Sequence, residues 1–173
     1  VHAVRGGKEK IVTSERLLLS AGRVPNTESL ALEVAAIETD KRGNIVIDGQ
    51  MRSSFPNVYA VGDVTGRDQF VYMAAYGTKL AAKNAMQDAG MVYDNSAMPA
   101  VVLSDPQVAS VGLTEAEAVT QGFEIVTSVL PLEHAPRALA ERCTRGLIKL
   151  VADKNTKKLL GTHIFAPEGA DNI

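Results

Sequence analysis

Asn57-Val58-Tyr59-Ala60-Val61-Gly62-Asp63 is the stretch on which the fold turns. A short apolar run closed by Gly-Asp has the pattern of a strand stopped by a turn. In open α/β sheets ligands bind outside the carboxyl ends of the strands, and this strand delivers Gly62 and Asp63 there. Gly62 has no Cβ, so a cofactor can come close to its backbone. The Asp63 carboxylate accepts hydrogen bonds and can hold two hydroxyls of a sugar-like chain. Read alone, the same residues also describe a plain strand ending in a Gly-Asp turn, the commoner use of that pair.

Just downstream, Gln69-Phe70-Val71-Tyr72 opens a helix predicted from Gln69–Val71 to about Ala89, with Gly90 as its stop. Free amides at that start, and the positive end of the helix dipole, suit an anionic ligand edge. Hydrophobic anchoring of the helix by Phe70 and Val71 is the plainer alternative. Ala74, Gly77, Ala81 and Ala85 recur on one side and permit close approach of a neighbouring element or ligand. Lys79 and Lys83 keep it a soluble helix.

Upstream, Val1, Ala3 and Val4 precede the turn pair Gly6-Gly7, and Ile11-Val12 follow it. Leu17-Leu18-Leu19 reads as a short buried strand. It stops at Ala21-Gly22-Arg23-Val24-Pro25-Asn26. Gly43–Asp48 reads as another short strand between turns, and residues 91–98 as a linker.

From residue 99 the pattern is α+β. Ala100–Leu103 and Val108–Val111 are predicted strands around Ser104-Asp105-Pro106. Thr114-Glu115-Ala116-Glu117 matches a capping box, so a helix starts there and stops at Gly122. Glu124–Leu130 is a predicted strand. Leu147–Val151 and Leu159–Phe165 flank Asp153-Lys154-Asn155-Thr156 as an antiparallel hairpin.

The 173 residues are 46% hydrophobic and 22% charged, which places the chain among ordinary globular proteins. A formal net charge of -2 gives no field pointing to nucleic acid or an anionic membrane. No apolar run reaches the length of a membrane span. The start lacks an initiator Met and the end follows a turn without a closing element, so both ends read as cut. Cys143 is the lone cysteine, which rules out an internal disulfide, a thiol-pair redox centre or a cysteine-based zinc site, and fits a cytosolic setting. His2, His134 and His163 have no ligand spacing and read as structural or surface residues. Arg137 reads as a structural residue, with an interface ion pair as the alternative. Neither a G-x-G-x-x-G nor a P-loop occurs. On residues alone the chain carries no catalytic constellation.

Taken in order, the motifs resemble the pyridine-nucleotide-disulfide oxidoreductase family over essentially the whole chain. Ser20-Ala21-Gly22-Arg23-Val24-Pro25-Asn26 is similar to the A-T-G-R-x-P-N junction leading out of the nicotinamide-cofactor domain. Ser53 through Asp63 resembles the family's second flavin motif, and Pro99 through Gly112 resembles the opening of its C-terminal dimerisation domain. The resemblance implies an α/β chain in three parts. Residues 1–24 are the end of an NAD(P)-binding domain, residues 25–96 the second part of an FAD-binding domain, and residues 97–173 a truncated α+β dimerisation domain.

Three stretches resemble the mercuric reductase subfamily: Gln69–Tyr72, Ala97–Val102, and Pro136–Ala140 followed by Thr144–Val151. Lipoamide dehydrogenases usually carry Met-Leu-Ala-His at Gln69–Tyr72. The resemblance implies that Asp63, beside Gly62, binds the flavin ribityl chain. Val71, with Gln69, Phe70 and Tyr72, presents backbone to the isoalloxazine ring, and Gly22 lies near the nicotinamide cofactor. It further implies FAD and NADPH as cofactors, a homodimer through residues 99–173, a cytoplasmic setting, and reduction of Hg(II) to Hg(0) through FAD and a cysteine pair upstream of residue 1. A vicinal cysteine pair would follow Ile173. The fragment alone is expected neither to reduce mercury nor to retain FAD well. The alternatives are a lipoamide- or glutathione-reductase-type enzyme and, in another class, a non-catalytic binding or dimerisation module.

Overall fold

The computed structural model describes all residues from Val1 to Ile173. They form two compact units, Val1–Met91 and Val92–Ile173.

The first unit begins with an antiparallel hairpin, β1 (His2–Arg5) and β2 (Lys8–Ile11), turned at Gly6-Gly7 as their sequence predicts. The expected buried strand at Leu17–Leu19 does not form: the segment is unpaired, and Leu18 is 88% exposed. An apolar run becomes a buried strand only when neighbouring strands flank it, and no segment of this chain pairs with it.

Between residues 39 and 60 the expected strands shrink to isolated bridges, Thr39 with Ile45, Ile47 with Ser53, and Arg52 with Tyr59. Local side-chain chemistry interrupts the ladders. The Asp40 carboxylate accepts from the amides of Arg42 and Asn44, and the Asp48 carboxylate from those of Gln50 and Arg52. Such Asx turns compete with sheet pairing. The apolar residues still face inward, with Ile45, Ile47, Met51 and Ala60 buried.

Helix α1 (Val71–Gln87) starts where predicted. Its buried stripe is Met73, Gly77, Leu80, Ala81 and Asn84. Ala85, grouped above with the small residues, is exposed. The helix ends before Gly90, because Asp88 takes the left-handed conformation at φ 48° and its N–H donates to the Asn84 carbonyl. Asn84, only 2% exposed, reinforces this end. Its side-chain amide donates to the carbonyls of Gln50 (3.1 Å) and Met91 (2.8 Å) and accepts from the Met91 N–H (2.8 Å). A buried amide with these bonds met locks the helix end to the chain on both sides.

The second unit is a five-stranded antiparallel sheet in the order β3-β4-β7-β6-β5. Its strands are β3 (Ala100–Val102), β4 (Gln107–Gly112), β5 (Ile125–Pro131), β6 (Leu147–Asp153) and β7 (Leu159–Ala166). The expected hairpin is β6–β7, closed through Asp153–Thr156. In register, Ala109 pairs with Ile164 and Ile164 with Ile148, so the three share one sheet face. That face packs against Leu132 and, from α3 (Pro136–Ala140), against Ala138. Helix α2 (Glu115–Thr120) is held by the predicted capping box. Thr114 Oγ1 accepts from the Glu117 N–H, and the Glu117 carboxylate accepts from the Thr114 N–H at 2.8 Å. A short helix, α4 (Gly169–Asn172), closes the unit. No helix of the chain is long and apolar enough to cross a membrane.

Candidate functional site

The backbone from Ala60 to Gln69 explains how Asp63 is presented. Ala60 N–H donates to the Met51 carbonyl, and Val61 is extended. Gly62 then takes φ 76° and opens a single 3-10 turn, Gly62–Thr65. The Thr65 hydroxyl donates back to the Gly62 carbonyl (2.8 Å), and the Gly66 N–H to the Asp63 carbonyl (3.0 Å). The turn is tied to the preceding loop by Ile45 N–H donating to the Val64 carbonyl (3.0 Å). The Asp63 backbone is thus bound on both sides while its carboxylate stays exposed.

The glycine at position 62 has a reason that the sequence does not disclose. A Cβ there would lie 3.0 Å from the Ala74 Cβ of α1. The close approach that Gly62 permits is that of the helix, in a conformation disfavoured for other residues.

Asp63 and Gln69 line one cleft of about 420 Å³ together with Arg23, Val24, Pro25, Asn26 and Val64. The junction at residues 23–26 and the Gly-Asp turn, forty positions apart, therefore converge. The link is Arg23, whose Nη1 donates to Asp63 Oδ2 at 3.2 Å and to the Gln69 carbonyl at 2.7 Å. Arg23, Val24, Pro25, Asn26 and Val64 are not marked as separate site residues by the sequence. The available signal was a cation set inside a Gly-x-x-Pro turn. Gly22 precedes the cleft at φ 117°, with nothing within 4 Å of a Cβ built on it.

At the start of α1, Phe70 is extended and no side chain caps the first turn. Val71 is 85% exposed, so it does not anchor the helix. Phe70 and Tyr72 instead stack on each other, with ring centroids 5.3 Å apart and planes at 16°. Burial, then the negative charge of Asp68, push the Tyr72 phenol above its ordinary range. The result is an outward apolar side chain at a helix N-terminus without a side-chain cap, two residues after the cleft-lining Gln69. The cleft carboxylate can accept hydrogen bonds from ligand hydroxyls, and the amides at the start of α1 can donate to an anionic group.

None of the other candidates lines this cleft. His2 pairs with Glu9, and His163 meets the Leu113 carbonyl at 3.1 Å. Arg137 pairs with Glu141 (2.9 Å) and Glu168 (2.6 Å) inside the second unit, as its structural reading expects. Cys143 is an exposed free thiol.

Residues 1–89 match the family of pyridine nucleotide-disulphide oxidoreductases, and residues 98–173 match that family's dimerisation domain. The chain belongs to this family, with the α/β and α+β parts that its motifs imply. Among its relatives the mercuric reductases stand out. That of Bacillus cereus is 44% identical over 173 residues, covering 100% of this chain and 27% of the relative. That of Acidithiobacillus ferrooxidans is 47% identical over 160 residues, covering 92% of this chain and 29% of the relative. The chain therefore spans less than a third of either protein. Among solved structures, the HOCl-induced flavoprotein disulfide reductase RclA of Escherichia coli superposes with a TM-score of 0.83 at 29% identity, covering 98% of this chain and 39% of that one.

Proposed function

We propose that this chain is the flavin-to-interface section of an NADPH-dependent mercuric reductase. The observation that carries the reading is the cleft in which Asp63, Gln69 and the Arg23–Asn26 junction meet beside the uncapped start of α1. Relatives named mercuric reductase at 44% and 47% identity support the substrate.

In this reading residues 1–24 end an NAD(P)-binding domain, 25–96 complete an FAD-binding domain, and 97–173 begin the dimerisation domain. The Asp63 carboxylate accepts hydrogen bonds from flavin ribityl hydroxyls. Gly62 shapes the turn that presents it. Gln69, Phe70, Val71 and Tyr72 border the isoalloxazine ring, where the positive end of the helix dipole favours negative charge. Gly22 lies toward the nicotinamide. When bound, FAD supplies the two-electron transfer between NADPH and a cysteine pair outside this chain. The residues here bind and orient the cofactor. The enzyme is a cytoplasmic homodimer through residues 99–173, and Hg(II), a soft ion suited to thiolates, is its substrate.

The test uses the complete enzyme that carries this chain. Released flavin is identified after denaturation, and the native mass is measured by sedimentation. One FAD per subunit in a dimer is expected. A colourless or monomeric protein contradicts the reading.

A further inference from the structure

We propose that Arg23 is a positioning residue that aims the Asp63 carboxylate at the flavin. The inference rests on the reading of Asp63 as the ribityl-binding group. A single guanidinium nitrogen, Nη1, serves two acceptors from different elements: Asp63 Oδ2 in the Gly-Asp turn (3.2 Å) and the Gln69 carbonyl just ahead of α1 (2.7 Å). The two elements proposed to border the cofactor are thereby set at a fixed spacing by a third, the junction at residues 22–26.

The geometry leaves Asp63 competent. Only Oδ2 is engaged by Arg23, so Oδ1 and the spare lone pairs of Oδ2 remain for ligand hydroxyls. A free carboxylate rotates about its last torsion, which has broad wells. One fixed oxygen removes that freedom before the ligand arrives, and pre-ordering of this kind raises affinity by lowering the cost of binding. The side chains of Arg23 and Asp63 are 58% and 54% exposed, so the pair adds little to folding, and its effect lies in orientation. The backbone of Asp63 is already tied down by its own turn, through Gly66 N–H donating to the Asp63 carbonyl. What Arg23 adds acts on the side chain.

The experiment is a double-mutant cycle in the complete flavoenzyme: wild type, Arg23→Ala, Asp63→Ala and the double variant. The readout is the FAD dissociation constant from quenching of flavin fluorescence, with thermal melts of the apoproteins as a folding control. Arg23→Ala should weaken FAD binding about fivefold, within the range of a half-exposed charged pair. Asp63→Ala should weaken it more. The double variant should bind within about twofold of Asp63→Ala, because Arg23 has nothing left to position. Arg23→Lys, which keeps a donor nitrogen, should lose less than Arg23→Ala. Unchanged binding in Arg23→Ala overturns the positioning role. So does a loss that persists in full on the Asp63→Ala background, because Arg23 then acts without Asp63. Unchanged binding in Asp63→Ala overturns the reading of Asp63 itself, and the role of Arg23 falls with it.

Discussion

Gly62 and Ala74 hold the Gly-Asp turn tightly against the first turn of α1. An added Cβ would stand 3.0 Å from that of Ala74. Gly62→Ala meets both this contact and a φ of 76°. Such a conformation and such crowding each cost on the order of 1–3 kcal/mol. Urea denaturation should show a loss of about that size. Wild-type stability would mean that the turn relaxes freely.

Asn84 is the polar keystone of the same unit, satisfied by Gln50 and Met91. Asn84→Leu keeps the branching of the side chain but with bulkier methyl groups, and removes the bonds, orphaning backbone groups of both partners. The expected loss is about 2–3 kcal/mol in chemical denaturation. A neutral result would mean that water replaces the amide.

Thr114→Ala removes half of the capping box of α2 and should destabilise the second unit by about 1 kcal/mol at neutral pH. The Thr114 N–H, then its hydroxyl, hold the Glu117 carboxyl below its ordinary range. A depressed carboxyl pKa contributes stability that is present above the unfolded pKa and fades as pH falls through the folded one. The gap between wild type and Thr114→Ala should therefore narrow in acid. Thermal melts across the acidic range would show this, and a gap that widens in acid would contradict the cap's electrostatics.

The second unit was the more legible in sequence. Its capping box, its β6–β7 hairpin and the strands around Ser104–Pro106 all rest on contacts between nearby residues, which local patterning reports well. The first unit was less so. The strand read at Leu17–Leu19 depended on neighbours that the pattern could not supply. Those at 43–48 and 58–61 lost to the Asx turns of Asp40 and Asp48. The α1 start was readable from Gln69–Val71, but its end was not, since Asp88 and the buried Asn84 act before Gly90. In the site, Asp63 and Gln69 stood out as a motif and a helix start. Arg23 did not, because its partners lie 40 and 46 positions away and no spacing rule joins them.

The proposed role of this chain is in a reductase of mercuric ion. The most direct measurement is NADPH oxidation by the complete enzyme with Hg(II), oxidised lipoamide or glutathione disulfide as alternative acceptors, with volatile mercury collected. Oxidation that depends on Hg(II) and releases Hg(0) is expected. Oxidation supported by lipoamide or glutathione disulfide, with none dependent on Hg(II), would contradict it.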